Sequence, residues 1–113
     1  MCQYQTLYYD DKVGYVIRCL HCENFQIGFG NVLVNLHQAD FADFCEWIKG
    51  CKAEHQGVEQ STIKSIIIPT PCDGLKLFLS QRELTELHHM LDTADSEWRS
   101  QEMLKLFSAD SAQ

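Results

Sequence analysis

Cationic clusters, long apolar runs and proline are what this sequence has least of. The 9 Lys and Arg residues are scattered among 16 Asp and Glu, with no basic run, and the formal charge is −7. That balance argues against a nucleic-acid backbone or an anionic membrane as partner. No stretch approaches the ~18 apolar residues of a membrane span. Met1-Cys2-Gln3-Tyr4 has neither a basic n-region nor an apolar h-region, so no signal peptide is expected. Without a secretory signal, the 6 cysteines do not make a disulfide framework. There is no Ser-His-Asp order, P-loop or dinucleotide fingerprint. Gly28-Phe29-Gly30 lacks the third glycine and leads through a hairpin rather than into a helix. The 2 prolines, Pro69 and Pro71, lack ladder donors and mark an edge strand.

What is present is a patterned chain of 113 residues, one domain on length, with an apolar share of 45%. A chain of that size buries roughly two-thirds of its unfolded surface, enough for a core. Phe25 to Ile48 reads as two strands, a tight turn and a helix. Gly30-Asn31 tolerates the positive φ of a two-residue hairpin turn. Placed there, the turn pairs Phe29 with Val32, Ile27 with Val34 and Phe25 with Leu36, an apolar face whose register a one-residue slip would destroy. The same grammar recurs 43 residues later at Ile68 to Leu91, with Asp73-Gly74 at the turn and pairs Cys72/Leu75, Thr70/Leu77 and Ile68/Leu79.

The helices start at once. Ser80 and Glu83 form a capping box, with Leu79 and Leu84 as the hydrophobic staple. In the first unit His37, a poor cap, stands at that place between Leu36 and Phe41. Phe41, Phe44, Ile48 and Cys51 form one apolar stripe; Leu84, Leu87 and Leu91 form the other.

Ahead of these units, residues 3–9 and 13–19 read as strands around the polar turn Asp10-Asp11-Lys12, with Val13, Tyr15, Ile17 and Cys19 on one face. Residues 54–61 are the most loop-like, and Ser65 to Ile68 resumes the sheet. The cap-type run Asp92 to Ser96 predicts a break before a last helix, about 95–107, presenting Trp98, Met103, Leu106 and Phe107, with a frayed tail from Ser108. The expected architecture is α+β: an antiparallel sheet, hairpin–helix units at about 25–53 and 65–92, and a C-terminal helix, all in a single domain 1–113.

Cys19 and Cys22 carry the sharpest chemistry. Two thiols at C-x-x-C spacing on a tight connection can chelate one metal ion or form a redox disulfide. As zinc ligands they are half a site. The other half would be Cys51 and His55 at a helix end, Cys72 on the second hairpin, or the same pair from a symmetry mate, giving four cysteines across a dimer axis. As a redox motif the pair lies between two strands, without the helix N-terminus that lowers a thiol pKa in thioredoxin-like sites. Without either role they are two reduced, unliganded thiols. Cys45 and Cys51 read as structural thiols on the first helix, and Cys2 as exposed. Glu86 and His89 have the spacing of a di-iron half-site, but the equivalent Asp43 and Glu46 supply no second histidine. His88 reads as a core-edge residue and His89 as solvated.

At the CxxC and the Phe25–Leu36 segment the chain resembles a family of uncharacterised small proteins of Bacteroidetes-type bacteria. The resemblance covers most of the chain and rests on the CxxC, the hairpin with its Gly-Asn turn, and the acidic-aromatic helix. It implies a cytoplasmic protein of unknown function and supplies no catalytic residues. The sequence therefore leads to a small binding or regulatory module that self-associates, without nucleic acid, membrane or cofactor. Zinc held by Cys19 and Cys22, or a thiol redox role, stand as the alternatives.

Overall fold

The computed structural model describes residues 3–55 and 62–111. The order is β1 (Tyr4–Asp10), β2 (Gly14–Cys19), β3 (Phe25–Phe29), β4 (Val32–Leu36), α1 (Gln38–Glu54), β5 (Ile66–Pro69), β6 (Lys76–Leu79) and α2 (Gln81–Ser111). The first four strands form an antiparallel meander in chain order, and β5 and β6 form a separate two-stranded sheet. The fold is thus α+β, with a strand pair leading into a helix twice. The exposure expected of Cys2 and the loop at 56–61 lie outside the described residues.

The β3–β4 register follows the apolar pattern: Phe25 pairs with Leu36, Ile27 with Val34 and Phe29 with Val32. Gly30 has φ 59° while Asn31 stays at negative φ, the sign pattern of a II′ turn. At the preceding turn, Asp10 Oδ1 accepts the N–H groups of Lys12 at 2.8 Å and Val13 at 3.1 Å.

The inward face of β2 differs from expectation. Val16 and Arg18 pair with Ile27 and Phe25, so they share the buried face of β3, while Tyr15 and Ile17 lie on the half-exposed face. The pairing partner decides the parity, since apolar residues occupy both faces of β2. A register shift between Thr6 and Tyr8 leaves Leu7 as the extra residue, and it is buried.

The second hairpin is also offset. Ile66 pairs with Leu79 and Ile68 with Leu77, two residues away from the register expected from the 43-residue alignment. The connection is the longer stretch 70–75. Gly74 has φ 80° but Asp73 does not turn positive, so a two-residue I′ turn is not formed. Thr70 takes over instead: its Oγ1 donates to Leu75 O at 2.8 Å and accepts the Cys72 N–H at 3.2 Å. Pro71 sits in this loop rather than in a strand.

The break expected after Leu91 does not occur. α2 is one 31-residue helix through Ser111, so the chain is helical at 108–111 where fraying was expected, and the rest of that tail, 112–113, lies outside the described residues. Leu84, Leu87, Leu91, Ala94 and Trp98 continue a single buried stripe in alternating steps of three and four. Asp92, Thr93 and Ser96 face water, where their preference for caps costs little, and Asp95 pairs with Arg99 one turn on at 3.0 Å. Its start is the expected capping box: Glu83 N–H donates to Ser80 Oγ at 3.2 Å, and Ser80 N–H donates to Glu83 Oε1 at 3.0 Å. His37 makes no side-chain cap bond at α1. The core joins both helices to the four-stranded sheet through Phe25 stacked on Phe41 at 4.1 Å, with Trp98 edge-on to Phe25 at 5.1 Å. Trp98 is therefore a core residue and not part of an exposed stripe.

Candidate functional site

The β2–β3 connection carries the cysteine pair. Cys19, at the end of β2, is buried, and Cys22 is exposed. Cys19 N–H donates to Asn24 O at 2.8 Å, and Glu23 N–H donates to Cys19 O at 3.0 Å. The turn closes through Glu23, the one non-glycine residue at positive φ among those described (60°). In this curl Cys22 N–H donates to Cys19 Sγ at 3.4 Å. An N–H aimed at sulfur is an arrangement that a thiolate accepts well. The loop leads directly into β3, so the chain does not run from the cysteine pair into a helix.

Three elements pin this loop. Asn24 Oδ1 lies 2.9 Å from His37 Nδ1, tying it to the start of α1. Leu20 N–H donates to Gln3 O at 2.8 Å. Beneath it Arg18, only 4% exposed, reaches Glu102 of α2 with Nη1 at 3.3 Å and Glu23 with Nη2 at 3.8 Å. Arg18 Nε has no hydrogen-bond partner among the described residues. Neither Arg18 nor Glu102 stands out in the sequence by motif or periodicity. Their one signal was an arginine set inside a strand between Ile17 and Cys19.

Past Trp98 the long helix leaves the core. Met103, Leu104, Leu106 and Phe107 are 58–70% exposed on consecutive turns. A cavity of about 370 Å³ opens on one side of this segment, lined by Gln5, Arg18, Leu20, Gln101, Leu104 and Lys105. On the other side a cavity of about 460 Å³ is lined by residues including Trp98, Met103 and Leu106. Leu20, within the CxxC loop, thus adjoins the apolar end of α2.

The other sequence candidates lie elsewhere. Cys51 and His55 are at the end of α1, where the His55 ring nitrogen lies 2.8 Å from Cys51 O, and Cys72 is in the β5–β6 loop. Among the described residues, no group of three His, Cys, Asp or Glu side chains is placed to hold a metal ion. Burial, followed by the charge of Asp95, pushes the Cys45 thiol up to about 12, which makes it a structural thiol at neutral pH. It lines a cleft of about 40 Å³ between the helices with His88, Asp92 and Asp95, so His88 is a half-buried edge residue. His89 is exposed and meets Tyr8 edge-on at 6.0 Å. No helix among the described residues is long and apolar enough to cross a membrane.

Fold and site together define a small α+β protein with a cysteine loop set against the projecting end of its longest helix. A family model described as Family of unknown function (DUF6686) matches residues 1–111, and the chain belongs to that family. Neither a curated protein nor a solved structure matches it.

Proposed function

We propose that this protein is a non-enzymatic binding or regulatory module of the cytoplasm that self-associates through the C-terminal end of α2. The observation that carries the reading is the run Met103, Leu104, Leu106 and Phe107, more than half exposed beyond the point where the helix leaves the core. Each such side chain offers on the order of 100 Å² of apolar surface, so a two-fold pairing that includes Leu20 buries roughly 1,000 Å², the lower limit for a specific interface. Charge favours this segment as well. Glu97, Arg99, Glu102 and Lys105 cancel one another, in a chain whose formal charge is −7. An antiparallel pairing about Met103 and Leu104 also brings Lys105 of each copy near Glu102 of the other. Grooves flank the helix on both sides of this run, one edged by Leu20 and Leu104 and the other by Met103 and Leu106. A monomer would leave this surface in water.

Size-exclusion chromatography with light scattering tests the reading. The wild type is expected at twice its 13.0 kDa chain mass. Leu104→Glu with Leu106→Glu, both at exposed positions, should return the monomer with unchanged circular dichroism. A wild type that is strictly monomeric at tens of micromolar refutes it.

A further inference from the structure

We propose that the cavity between α1 and the β5–β6 loop binds a small quaternary ammonium compound, with the Trp47 ring and the Asp43 carboxylate as its recognition groups. None of its lining residues belongs to α2, so this inference goes beyond self-association and does not rest on it.

The site follows from the way two elements meet. Asp43 and Trp47 stand four residues apart on α1 and so share one face of the helix. Phe44 and Ile48, buried beside them, hold that helix against the core. On the other side, Ile68 pairs with Leu77 and both are buried, which anchors the hairpin and leaves Pro69 on its outward face. Pro71 stands in the loop that the Thr70 bonds hold. Where these elements come together a cavity of about 290 Å³ opens, lined by Asp43, Phe44, Trp47, Pro69 and Pro71. Four of these residues are apolar, the other is an acid, and none is basic. Lys76, cross-strand from Pro69, lines a different cavity beside the β3–β4 turn.

Packing does not account for this lining. Trp47 is more than half exposed, whereas Trp98 is built into the core. Asp43 is exposed and enters none of the ion pairs among the described residues. The matching ligand is a cation that leaves water readily. A metal ion asks for several oxygen ligands, which one carboxylate among apolar walls does not supply. A primary ammonium is compact and strongly hydrated. A quaternary ammonium carries its charge beneath methyl groups. The methyls pack on proline and aromatic carbons, while the charge is drawn to the tryptophan ring and to the carboxylate. A space of this volume is about 8 Å across, so a cation inside it comes within the ~6 Å reach of the ring. The formal charge of −7 draws cations toward the molecule from further out.

The test titrates the full-length protein with choline and with tetramethylammonium under proton–nitrogen correlation NMR, in which Trp47 and Trp98 give separate indole signals. The neutral analogue of choline, with carbon in place of nitrogen, is the control. The Trp47 signal is expected to shift and saturate with a Kd of about 1 mM or tighter while the Trp98 signal stays in place. The neutral analogue should bind roughly fivefold more weakly. Read on the backbone amides of α1, Asp43→Asn should weaken binding about threefold or more, and Trp47→Ala should abolish it. Both changes are at exposed positions, so circular dichroism should not change. Absence of a saturable shift with either cation overturns the inference. Equal binding of the neutral analogue overturns it as well, by showing an apolar groove without charge recognition. So does an Asp43→Asn variant that binds as the wild type does, or a shift at Trp98 in place of Trp47.

Discussion

Arg18 holds a full guanidinium on the core face of β2, opposite Phe25, at 4% exposure. Burying a charge is tolerated only where a counter-charge follows it, and Glu102 provides that from α2 at 3.3 Å. Its carboxylate keeps a wet side, so the pair is only half desolvated. Glu102→Ala leaves Arg18 with Glu23 alone, a longer and well-hydrated contact. It is expected to cost about 2 kcal/mol in urea denaturation, less than the loss of a fully buried partner. Glu23→Ala should stay within about 0.5 kcal/mol, as exposed pairs do. Replacing both partners by apolar residues, Arg18→Met with Glu102→Leu, should recover most of the loss. If Glu23→Ala proved the costlier change, Glu102 would not be the partner that holds Arg18.

At the level of elements, α2 shows how far a local signal reaches. Its start is fixed by the reciprocal Ser80 and Glu83 bonds, which predicts about 1 kcal/mol lost in Ser80→Ala. Burial alone would raise the Glu83 carboxyl. The hydrogen bond from Lys64 at 2.6 Å and the backbone bond of Ser80 outweigh it and hold the group below its usual 4.5. A group depressed on folding contributes stability above its unfolded value and loses it as pH falls through the folded one. The stability gap between wild type and Glu83→Gln, followed by denaturation from pH 7 downward, should therefore be full above pH 4.5 and shrink below it. A gap that does not change with pH would show that the carboxylate charge contributes nothing. The end of the helix is where the local signal misleads. Asp92, Asp95 and Ser96 have the chemistry of a cap, yet Ala94 and Trp98 keep the stripe in phase with the core and the helix runs through.

The molecule as a whole measures 54 × 31 × 26 Å. A 31-residue helix is about 46 Å long, so α2 spans most of the long dimension and projects its last turns beyond the sheet. If those turns pair with a second copy, association is linked to folding and the melting temperature depends on protein concentration. Raising the concentration a hundredfold should raise the wild-type midpoint by several degrees, in line with about 2.7 kcal/mol of mass action. Leu104→Glu with Leu106→Glu should melt at one temperature throughout.

Much of this was legible in the sequence because it is local. The β3–β4 register follows from alternation plus one permissive turn. The α2 start follows from two residues three apart, and the helix stripes follow from periodicity. The CxxC turn was visible as spacing. Other features were decided only when distant segments met. β2 has apolar residues on both faces, so its inward face was set by pairing with β3, which drew Arg18 inside. The β5–β6 register was set by the side-chain bonds of Thr70 rather than by Asp73-Gly74, because Asp73 keeps a negative φ. Trp98 belongs to the core because Phe25 and Phe41 offer it a ring edge, and the exposure of Met103 to Phe107 follows because the sheet ends where the helix does not. Periodicity and turn chemistry act over a few residues and can be read from the chain. Which of two apolar faces is buried, and which helix turn outruns the core, depend on the surface that the rest of the molecule presents.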